Sequence, residues 1–454
     1  MWGVILILIL LLVVLGILVY KHTDKSKDDK IPVPSNKTLT IQPDIYGVGK
    51  YIDHFVDVDY CGVSDNIYAA GPIWRSTPKF DCGEWWLSGN LLSCMVNYIK
   101  ITGKTSNNIE RVLDDIFKTD ILLQQMLKGD TAWHDDTMWW MHSFLTLYDW
   151  KPERFPTALK WASIIFEDLM KNGYTSFTCE GETFYSTWWV YDHGDLEGNH
   201  RYRNTITNSL IMGFALRMYD ISVADPSTQQ TYGLRTPDQY WFVVENAIKF
   251  LMPIKDRVVG LMHDGWNKIE NRQCSTPDPT GEYWTYNQGV VLDDFSRAAI
   301  LYHQKGQYIE RDELVMFVIS LIKTMTQPAP NNPLVVKVES GAYILQDAHP
   351  EDGSNRAFKG IFCRYLSYSV WNLLHLPLYS EEVDILKKAG EFIRGNVDWV
   401  RANGKRNGFF SYTWNLTKDQ VVGVPDDDFT IASSFGVMDL FLSDYYFRSM
   451  AQYF

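Results

Sequence analysis

Two adjacent carboxylates, Asp135 and Asp136, lie inside a tryptophan-rich stretch, WHDDTMWW, that runs from Trp133 to Trp140. Neighbouring carboxylates repel each other, which separates their pKa values as acid/base catalysis requires. Indole faces can stack on the apolar faces of sugar rings, while carboxylates accept hydrogen bonds from hydroxyl groups. The alternative is a helix N-terminus, where aspartates cap free N–H groups and favour the helix dipole. The pattern therefore indicates either an acid pair acting on a sugar or a helix cap.

A second aromatic cluster, YWTYNQG, runs from Tyr283 to Gly289 and precedes a stretch with helical apolar spacing. Amide side chains can donate to and accept from sugar hydroxyls, and Gly289 allows close approach of the backbone. The alternative is an aromatic helix start packed in a core.

Together these stretches resemble the motifs of glycoside hydrolase family 76, the endo-α-1,6-mannanases. The Asp-Asp followed by Trp-Trp, the WTYNQG run and the FKGIF segment at 358–362 occur in the family's order. The weaker pairs Trp85-Trp86 and Trp188-Trp189 fit the same pattern, which extends from about Phe80 to the C-terminus. The resemblance implies an all-α fold, an (α/α)6 barrel with its cleft at one end of the inner helices.

The resemblance also assigns roles to the acid pair, with Asp135 as the nucleophile and Asp136 as the general acid/base. The sequence alone does not distinguish the two residues. Adjacent side chains at a helix start suit the short carboxyl separation of retaining enzymes, about 5–5.5 Å, better than the longer separation of inverting ones. His134 stands where family members often carry an aromatic residue such as tyrosine.

Further residues are candidates for sugar contacts, although Asp264 could instead form an Asp-Gly turn, and Trp188 and Trp189 could be core residues. The predicted substrate-binding residues are Trp139, Trp140, Trp188, Trp189, Asn208, Asp264, Tyr286, Asn287 and Gln288.

A second acid pair, Asp293-Asp294, falls inside the helix that follows Gly289, where a capping or solvated role is expected. The histidines show no HxxxH spacing, and the six cysteines show no CxxC spacing. We therefore expect no metal ion and no cofactor. Cys61 and Cys82 are the candidate disulfide pair closest in sequence.

The leading interpretation is a retaining endo-acting hydrolase of α-1,6-mannosidic linkages. One alternative is a mannan transglycosylase of cell-wall or glycan remodelling, since similar fungal relatives pass the glycosyl-enzyme to another glycan. The other is a glycan-binding protein that has lost catalysis. The presence of both acids argues against a pure binding protein, which has no need for a repelling pair.

Composition narrows the range of partners. The net charge is −13 and no basic run is present, which argues against nucleic acid and favours a neutral oligo- or polysaccharide. With 46% hydrophobic residues in 454, the chain can bury a large core. We expect a monomer.

The N-terminus predicts a membrane anchor, because Trp2 to Tyr20 is an uninterrupted apolar run. A cleaved signal peptide is the alternative, but no basic n-region or small-x-small site is evident. We expect an anchor over 1–20, a linker over 21–40, an irregular extension over 41–79 and the catalytic domain over 80–454. The lysines that follow the anchor favour a cytoplasmic location, whereas the glycosylation sequons at Asn36 and Asn415 favour a lumenal or extracellular one, which we prefer.

Helical periodicity dominates the rest of the chain. Apolar stripes begin at Leu91, Trp140, Leu210 and Phe435, while residues 175–191 are β-prone and predict a long loop or a small hairpin.

Overall fold

A computed structural model of the protein describes residues 30–31, 37–59, 85–127, 133–179, 181–190, 202–266, 282–328, 331–347, 353–406, 409–411, 413–422 and 431–454. Helices predominate in these ranges. In chain order they are α1 (Val48–Asp59), α2 (Trp85–Thr102), α3 (Asn107–Asp115), α4 (Ile121–Leu127), α5 (His134–Trp150), α6 (Pro156–Asn172), α7 (Thr205–Ala224), α8 (Ser227–Tyr232), α9 (Pro237–Leu251), α10 (Thr285–Gln304), α11 (Tyr308–Thr326), α12 (Phe358–Leu373), α13 (Ser380–Asn403), α14 (Lys418–Val422) and α15 (Ile431–Met450).

Six helices form a closed inner ring. Each packs against the next in the order α2, α5, α7, α10, α12 and α15, and α15 returns to contact α2. Helices α6, α9, α11 and α13 pack outside this ring, against α5, α7, α10 and α15 respectively. The predicted all-α, (α/α)6 architecture is confirmed in this arrangement, and we refer to the six ring members as the inner helices.

The burial pattern explains why some helices are inner and others outer. Inner helix α7 buries every residue from Thr205 to Leu216, because it is covered on all sides. Outer helix α9 instead buries a stripe that includes Tyr240, Val244 and Leu251, and its remaining surface is mostly polar apart from the exposed Phe242. The apolar stripes predicted from the sequence all lie in helices.

Two glycines allow inner helices to approach closely. A Cβ atom at Gly360 in α12 would lie 2.3 Å from the backbone oxygen of Gly436 in α15, and one at Gly289 in α10 would lie 2.7 Å from the Cα of Phe362. The glycine of the aromatic cluster therefore serves the contact between two inner helices.

The described strands are short. The predicted hairpin is confirmed as Tyr174–Cys179 paired antiparallel with Glu182–Thr187, and Cys179 takes part in a disulfide. Arg203–Asn204 pairs with Gly265–Trp266 beside the candidate site. The remaining pairs are Lys30–Ile31 with Leu378–Tyr379, Val335–Lys337 with Tyr343–Leu345, and Lys405–Arg406 with Phe409–Phe410.

The predictions for the N-terminal region can be tested only in part. The predicted anchor over 1–20 and the candidate disulfide pair, Cys61 and Cys82, lie outside the described residues. No described helix is both long and apolar enough to cross a membrane. Within the predicted linker, the backbone N–H of Thr40 donates to Ser449 of α15 at 2.6 Å. Part of the extension predicted as irregular is helix α1. Glycine and β-branched residues give this segment low helix propensity, and burial of Val48 and Ile52 compensates.

Candidate active site

A cavity of about 500 Å³ opens at the N-terminal ends of five inner helices, and we call it the N-terminal cavity. Its volume lies within the usual range for small-molecule sites, about 300–1,000 Å³. The lining residues come from the first turns of these helices and from the segments that lead into them. They are Trp86, Trp133, Asp135, Asp136, Trp139, Trp189, Asn204, Asp264, Glu282, Trp284, Tyr286, Asn355 and Phe358.

The acid pair occupies the first turn of α5, whose start is fixed by the segment after the hairpin. Trp133 forms a β-bridge with Val190, and the backbone N–H of His134 donates to the carbonyl of Trp189 at 2.9 Å. The buried His134 ring lies 2.7 Å from the carbonyl of Trp188 through Nδ1. Burial lowers the pKa of His134 to about 4, so the ring is neutral and Nδ1–H is the donor. This histidine therefore holds Asp135 and the 188–190 segment together.

Asp135 has an unusual environment for a carboxylate. It is only 8% exposed, and burial raises its pKa to about 7, with repulsion from Asp264 acting in the same direction. The Trp189 indole N–H donates to Oδ2 at 3.2 Å and opposes this rise, as do backbone N–H groups at the helix start. Oδ1 is buried and has no hydrogen-bond partner among the described residues. Asp136 beside it is half-buried.

Asp264 is the third carboxylate of the N-terminal cavity. Its Oδ2 accepts from the Tyr202 hydroxyl at 2.6 Å, and its Oδ1 accepts from the Asn287 amide at 3.0 Å. Burial raises the pKa of Asp264, and these two hydrogen bonds oppose the rise. The following Gly265 is in a short strand and does not form a turn; a Cβ there would lie 2.6 Å from the Arg203 carbonyl. With Glu282, the site therefore contains four carboxyl groups, and the pKa values of Asp135 and Asp264 are raised.

An aromatic wall faces these acids. Tyr286 stacks on Phe358 with ring centroids 3.8 Å apart, and Trp86 contacts both Phe358 and Trp139 at 5.9 and 6.3 Å. Trp133, which is 43% exposed, lies at the opening beside Trp189. Flat apolar surfaces opposite carboxylates provide the two kinds of contact that a sugar ring needs.

The structure brings together six of the eleven predicted site residues: Asp135, Asp136, Trp139, Trp189, Asp264 and Tyr286. None of the other five lines the cavity: Trp140, Asn208, Asn287 and Gln288 are buried elsewhere, and Trp188 is half-buried. Trp140 packs on Phe144, and the Trp188 ring lies over the Arg203 guanidinium. The side-chain amides of Asn208 and Gln288 form hydrogen bonds with the backbone of Thr187 and Met262 respectively. The Asn287 amide donates to Asp264 and orients it.

Several lining residues were missing from the predicted site. Trp86, Trp133, Trp284 and Phe358 belong to the motifs already noted, so a sequence signal existed for them. Asn204, Glu282 and Asn355 had no chemical signature in the sequence. Asn204 is the N-cap of α7, a role that its position before a helical stretch could have indicated.

Within the described ranges, no group of three or more histidine, cysteine or acidic side chains is arranged to hold a metal ion. The N-terminal cavity offers carboxyl groups and hydrogen-bond donors such as the Trp189 indole.

Comparison with known proteins decides the family. Residues 63–390 match the sequence profile of glycosyl hydrolase family 76, over well more than half of the chain. The chain belongs to this family. It is therefore a glycoside hydrolase. Among proteins with curated functions, none has a significantly similar sequence.

Solved structures of family 76 enzymes share the fold. An inactive variant of an α-1,6-mannanase from a Salegentibacter species, in complex with α-1,6-mannotriose, is 16% identical and has a TM-score of 0.63 over 88% of this chain and 98% of that one. A family 76 mannosidase of Bacteroides thetaiotaomicron is 15% identical with a TM-score of 0.58, covering 89% and 98%. Dfg5 of Chaetomium thermophilum, in complex with glucosamine, is 13% identical with a TM-score of 0.62, covering 91% and 93%.

The environment of Gln288 predicts that Gln288→Leu lowers stability more than it weakens substrate binding. Its amide accepts from the N–H of Met262 at 2.7 Å and donates to the Met262 carbonyl at 2.9 Å, so leucine leaves two buried backbone groups unpaired. We expect a loss of about 1–3 kcal/mol in the free energy of unfolding, measured by denaturant titration. The exposed Gln124→Leu is the control. An unchanged stability with a raised KM would instead place Gln288 in contact with the sugar.

Proposed function

We propose that this family 76 enzyme cleaves α-1,6-mannosidic linkages within mannan-type glycans and retains the anomeric configuration. The observation that carries the proposal is the adjacent carboxyl pair, Asp135 and Asp136, in a cavity that is also lined by aromatic side chains. The Salegentibacter mannanase supports it, because its inactive variant has asparagines in place of two consecutive aspartates and binds α-1,6-mannotriose.

In the proposed reaction Asp135 attacks the anomeric carbon and Asp136 protonates the departing glycosidic oxygen. The Trp189 hydrogen bond supports the first role, because it orients one oxygen of Asp135 and stabilises its charged form. The other oxygen, Oδ1, has no hydrogen-bond partner among the described residues and is the atom we assign to the attack. Asp136 then deprotonates a water that hydrolyses the glycosyl-enzyme, which restores both carboxyl groups.

The substrate contacts follow from the same cavity. We propose that Trp133, Trp139 and Tyr286 provide apolar faces for sugar rings, and that Asp264 accepts hydrogen bonds from sugar hydroxyls. We further propose that residues 80–454 form the catalytic unit and that residues 1–20 anchor it to a membrane, with the catalytic unit on the lumenal or extracellular side.

Incubation of the full chain with linear α-1,6-mannan tests the proposal. New reducing ends of intermediate chain length are expected, and NMR of the first product should show the α-anomer. Products longer than the starting oligosaccharides would indicate transglycosylation, and binding without any turnover would indicate a glycan-binding protein. Release of mannose alone would indicate exo-action and contradict the endo-acting assignment.

The pH dependence of kcat/KM should reveal the ionisation of Asp135. Because a nucleophile must be ionised, and burial raises the pKa of Asp135 to about 7, kcat/KM should increase about tenfold per pH unit below that value. Progress curves on mannotetraose from pH 4 to 9 would measure this acidic limb of the pH profile. If Asp135 were the proton donor instead, kcat/KM would fall about tenfold per pH unit above about pH 7.

The variant Trp189→Phe tests whether ionisation of Asp135 causes the increase of kcat/KM with pH. The substitution removes the donor that stabilises the Asp135 carboxylate, so the limb should move to higher pH. The matched control is Trp188→Phe, because the Trp188 ring lies over Arg203 and makes no contact with Asp135. An equal shift in both variants would mean that ionisation of Asp135 does not cause this part of the pH profile.

A further inference from the structure

A second cavity, of about 310 Å³, opens at the other end of the ring, and we call it the C-terminal cavity. Its lining residues come from the middle and C-terminal halves of the inner helices, whose N-terminal ends line the N-terminal cavity. Asn97 of α2, His142 of α5, Asp293 of α10 and Tyr365 of α12 contribute to its wall. The family mechanism described above makes no use of this cavity.

The second acid pair lies deep in the C-terminal cavity, so the expectation that it would be a cap or a solvated pair is wrong. Asp293 and Asp294 are 7% and 1% exposed, because their helix is surrounded by other inner helices. Asp293 accepts from the Asn372 amide at 2.8 Å, and Asp294 accepts from the Ser209 hydroxyl at 2.6 Å. Burial raises the pKa of both, most for Asp294, where repulsion from Asp293 adds to the effect. The two carboxyl groups therefore lie side by side in a wall that is shielded from water.

The remaining charges of this wall are largely balanced. The Arg297 guanidinium lies 3.6 Å from the Asp220 carboxylate, and Arg217 forms an ion pair with Asp149 nearer the opening. Lys100 and Arg364 also line the cavity, so its lysine and arginine side chains, four in all, equal its carboxyl groups in number. A wall with no net charge, but rich in polar atoms, favours a neutral polar ligand over an ion.

Two hydrogen-bond donors of the C-terminal cavity wall are buried and unsatisfied. The amide nitrogen of Asn97, a residue only 2% exposed, and the Nε atom of Arg217 have no hydrogen-bond partner in the described part of the chain. Tyr365 and Tyr446, both residues 5% exposed, contribute phenol side chains to the same wall. Buried polar groups are normally paired, so the two donors indicate a missing partner that accepts hydrogen bonds, as hydroxyl groups do. The half-buried Trp371 provides an apolar face in the same wall.

We propose that the C-terminal cavity binds a small neutral polyol of the size of a monosaccharide. Hydroxyl groups both donate and accept, which matches a wall that presents carboxyl, amide, phenol and guanidinium groups together. The volume is at the lower end of the usual range for small-molecule sites, about 300–1,000 Å³, and so suits one sugar ring. The proposal does not rest on what the N-terminal cavity hydrolyses.

Calorimetric titration of the full chain with D-mannose tests the proposal. The wild type should show two sites, and Asn97→Leu and Tyr446→Phe should weaken one of them about five- to tenfold while mannan hydrolysis is unchanged. Tyr174→Phe is the control, since it removes a phenol hydroxyl from the hairpin, which does not line this cavity. Binding of D-mannose that neither Asn97→Leu nor Tyr446→Phe weakens, whether at one site or at two, would overturn the proposal, as would no binding at all.

Charged analogues of the same ring test the ligand class. D-Glucosamine and D-glucuronate should bind the second site about tenfold more weakly than D-mannose, because the wall carries no net charge to balance theirs. Tighter binding of glucosamine would assign the cavity to a small organic cation and contradict a neutral polyol. Melting temperatures of all variants establish that each is folded, and a crystal soaked in D-mannose would locate the bound ring.

Discussion

Asp135→Asn should leave no detectable turnover of any mannoside, because an amide cannot form the glycosyl-enzyme ester. Asp136→Asn should slow mannan cleavage by about 10²–10⁴-fold, the usual contribution of a general acid. An aryl mannoside with a good leaving group departs without protonation, so it should partly restore the first step in the Asp136 variant alone. Mass spectrometry of that variant should then show an accumulated covalent adduct.

A comparison of the two variants distinguishes catalytic roles of the two aspartates from a role as helix caps. Both aspartates occupy the first turn of α5, so a role limited to capping would affect stability and leave the rate per folded molecule unchanged. Rescue of the Asp135 variant by the aryl mannoside would exchange the two roles. The exposed Asp120→Asn is a control for the chemical change itself and should retain full activity.

Gly360→Ala should cause the largest loss of stability among single methyl additions to the inner helices. The added Cβ would lie 2.3 Å from the backbone oxygen of Gly436 and 2.4 Å from its Cα. Backbone atoms cannot rotate away as a side chain can, so α12 and α15 must separate and reopen the ring. We expect a loss of about 3 kcal/mol or more in the free energy of unfolding, measured by chemical denaturation followed by circular dichroism.

Gly395→Ala is the matched control for this prediction. Gly395 lies inside helix α13, and a Cβ there meets nothing within 4 Å. Alanine should therefore increase stability by up to about 1 kcal/mol through its higher helix propensity. Equal effects at Gly360 and Gly395 would mean that the contact between α12 and α15 does not limit stability.

The sequence was informative where local pattern and chemistry coincide. Apolar spacing predicted the helices, and the β-prone run after Gly173 predicted the hairpin, because both are set by side-chain periodicity. The acid pair and the aromatic runs around it led to the correct family. The same local logic failed at helix α1, where weak propensity is outweighed by burial of Val48 and Ile52 in the folded chain.

The sequence could not show which face of each helix meets the N-terminal cavity. Successive residues of a helix point about 100° apart, so Tyr286 and Gln288 face opposite directions although one motif contains both. Tyr286 lines the cavity, and Gln288 is turned away to bond the backbone of Met262. The same rotation separates Trp139, which lines the cavity, from Trp140, which packs in the core.

Residue patterns alone were enough to show that the chain is helical, that it resembles a family of glycoside hydrolases and that an adjacent acid pair is its main chemical feature. The folded chain was needed to show which residues surround that pair, because ring closure brings together helix ends that are far apart in the chain. Asn204, Glu282 and Asn355 reach the N-terminal cavity in this way. Asp293 and Asp294 become buried for the same reason, since a ring of helices encloses groups that a single helix would leave in water.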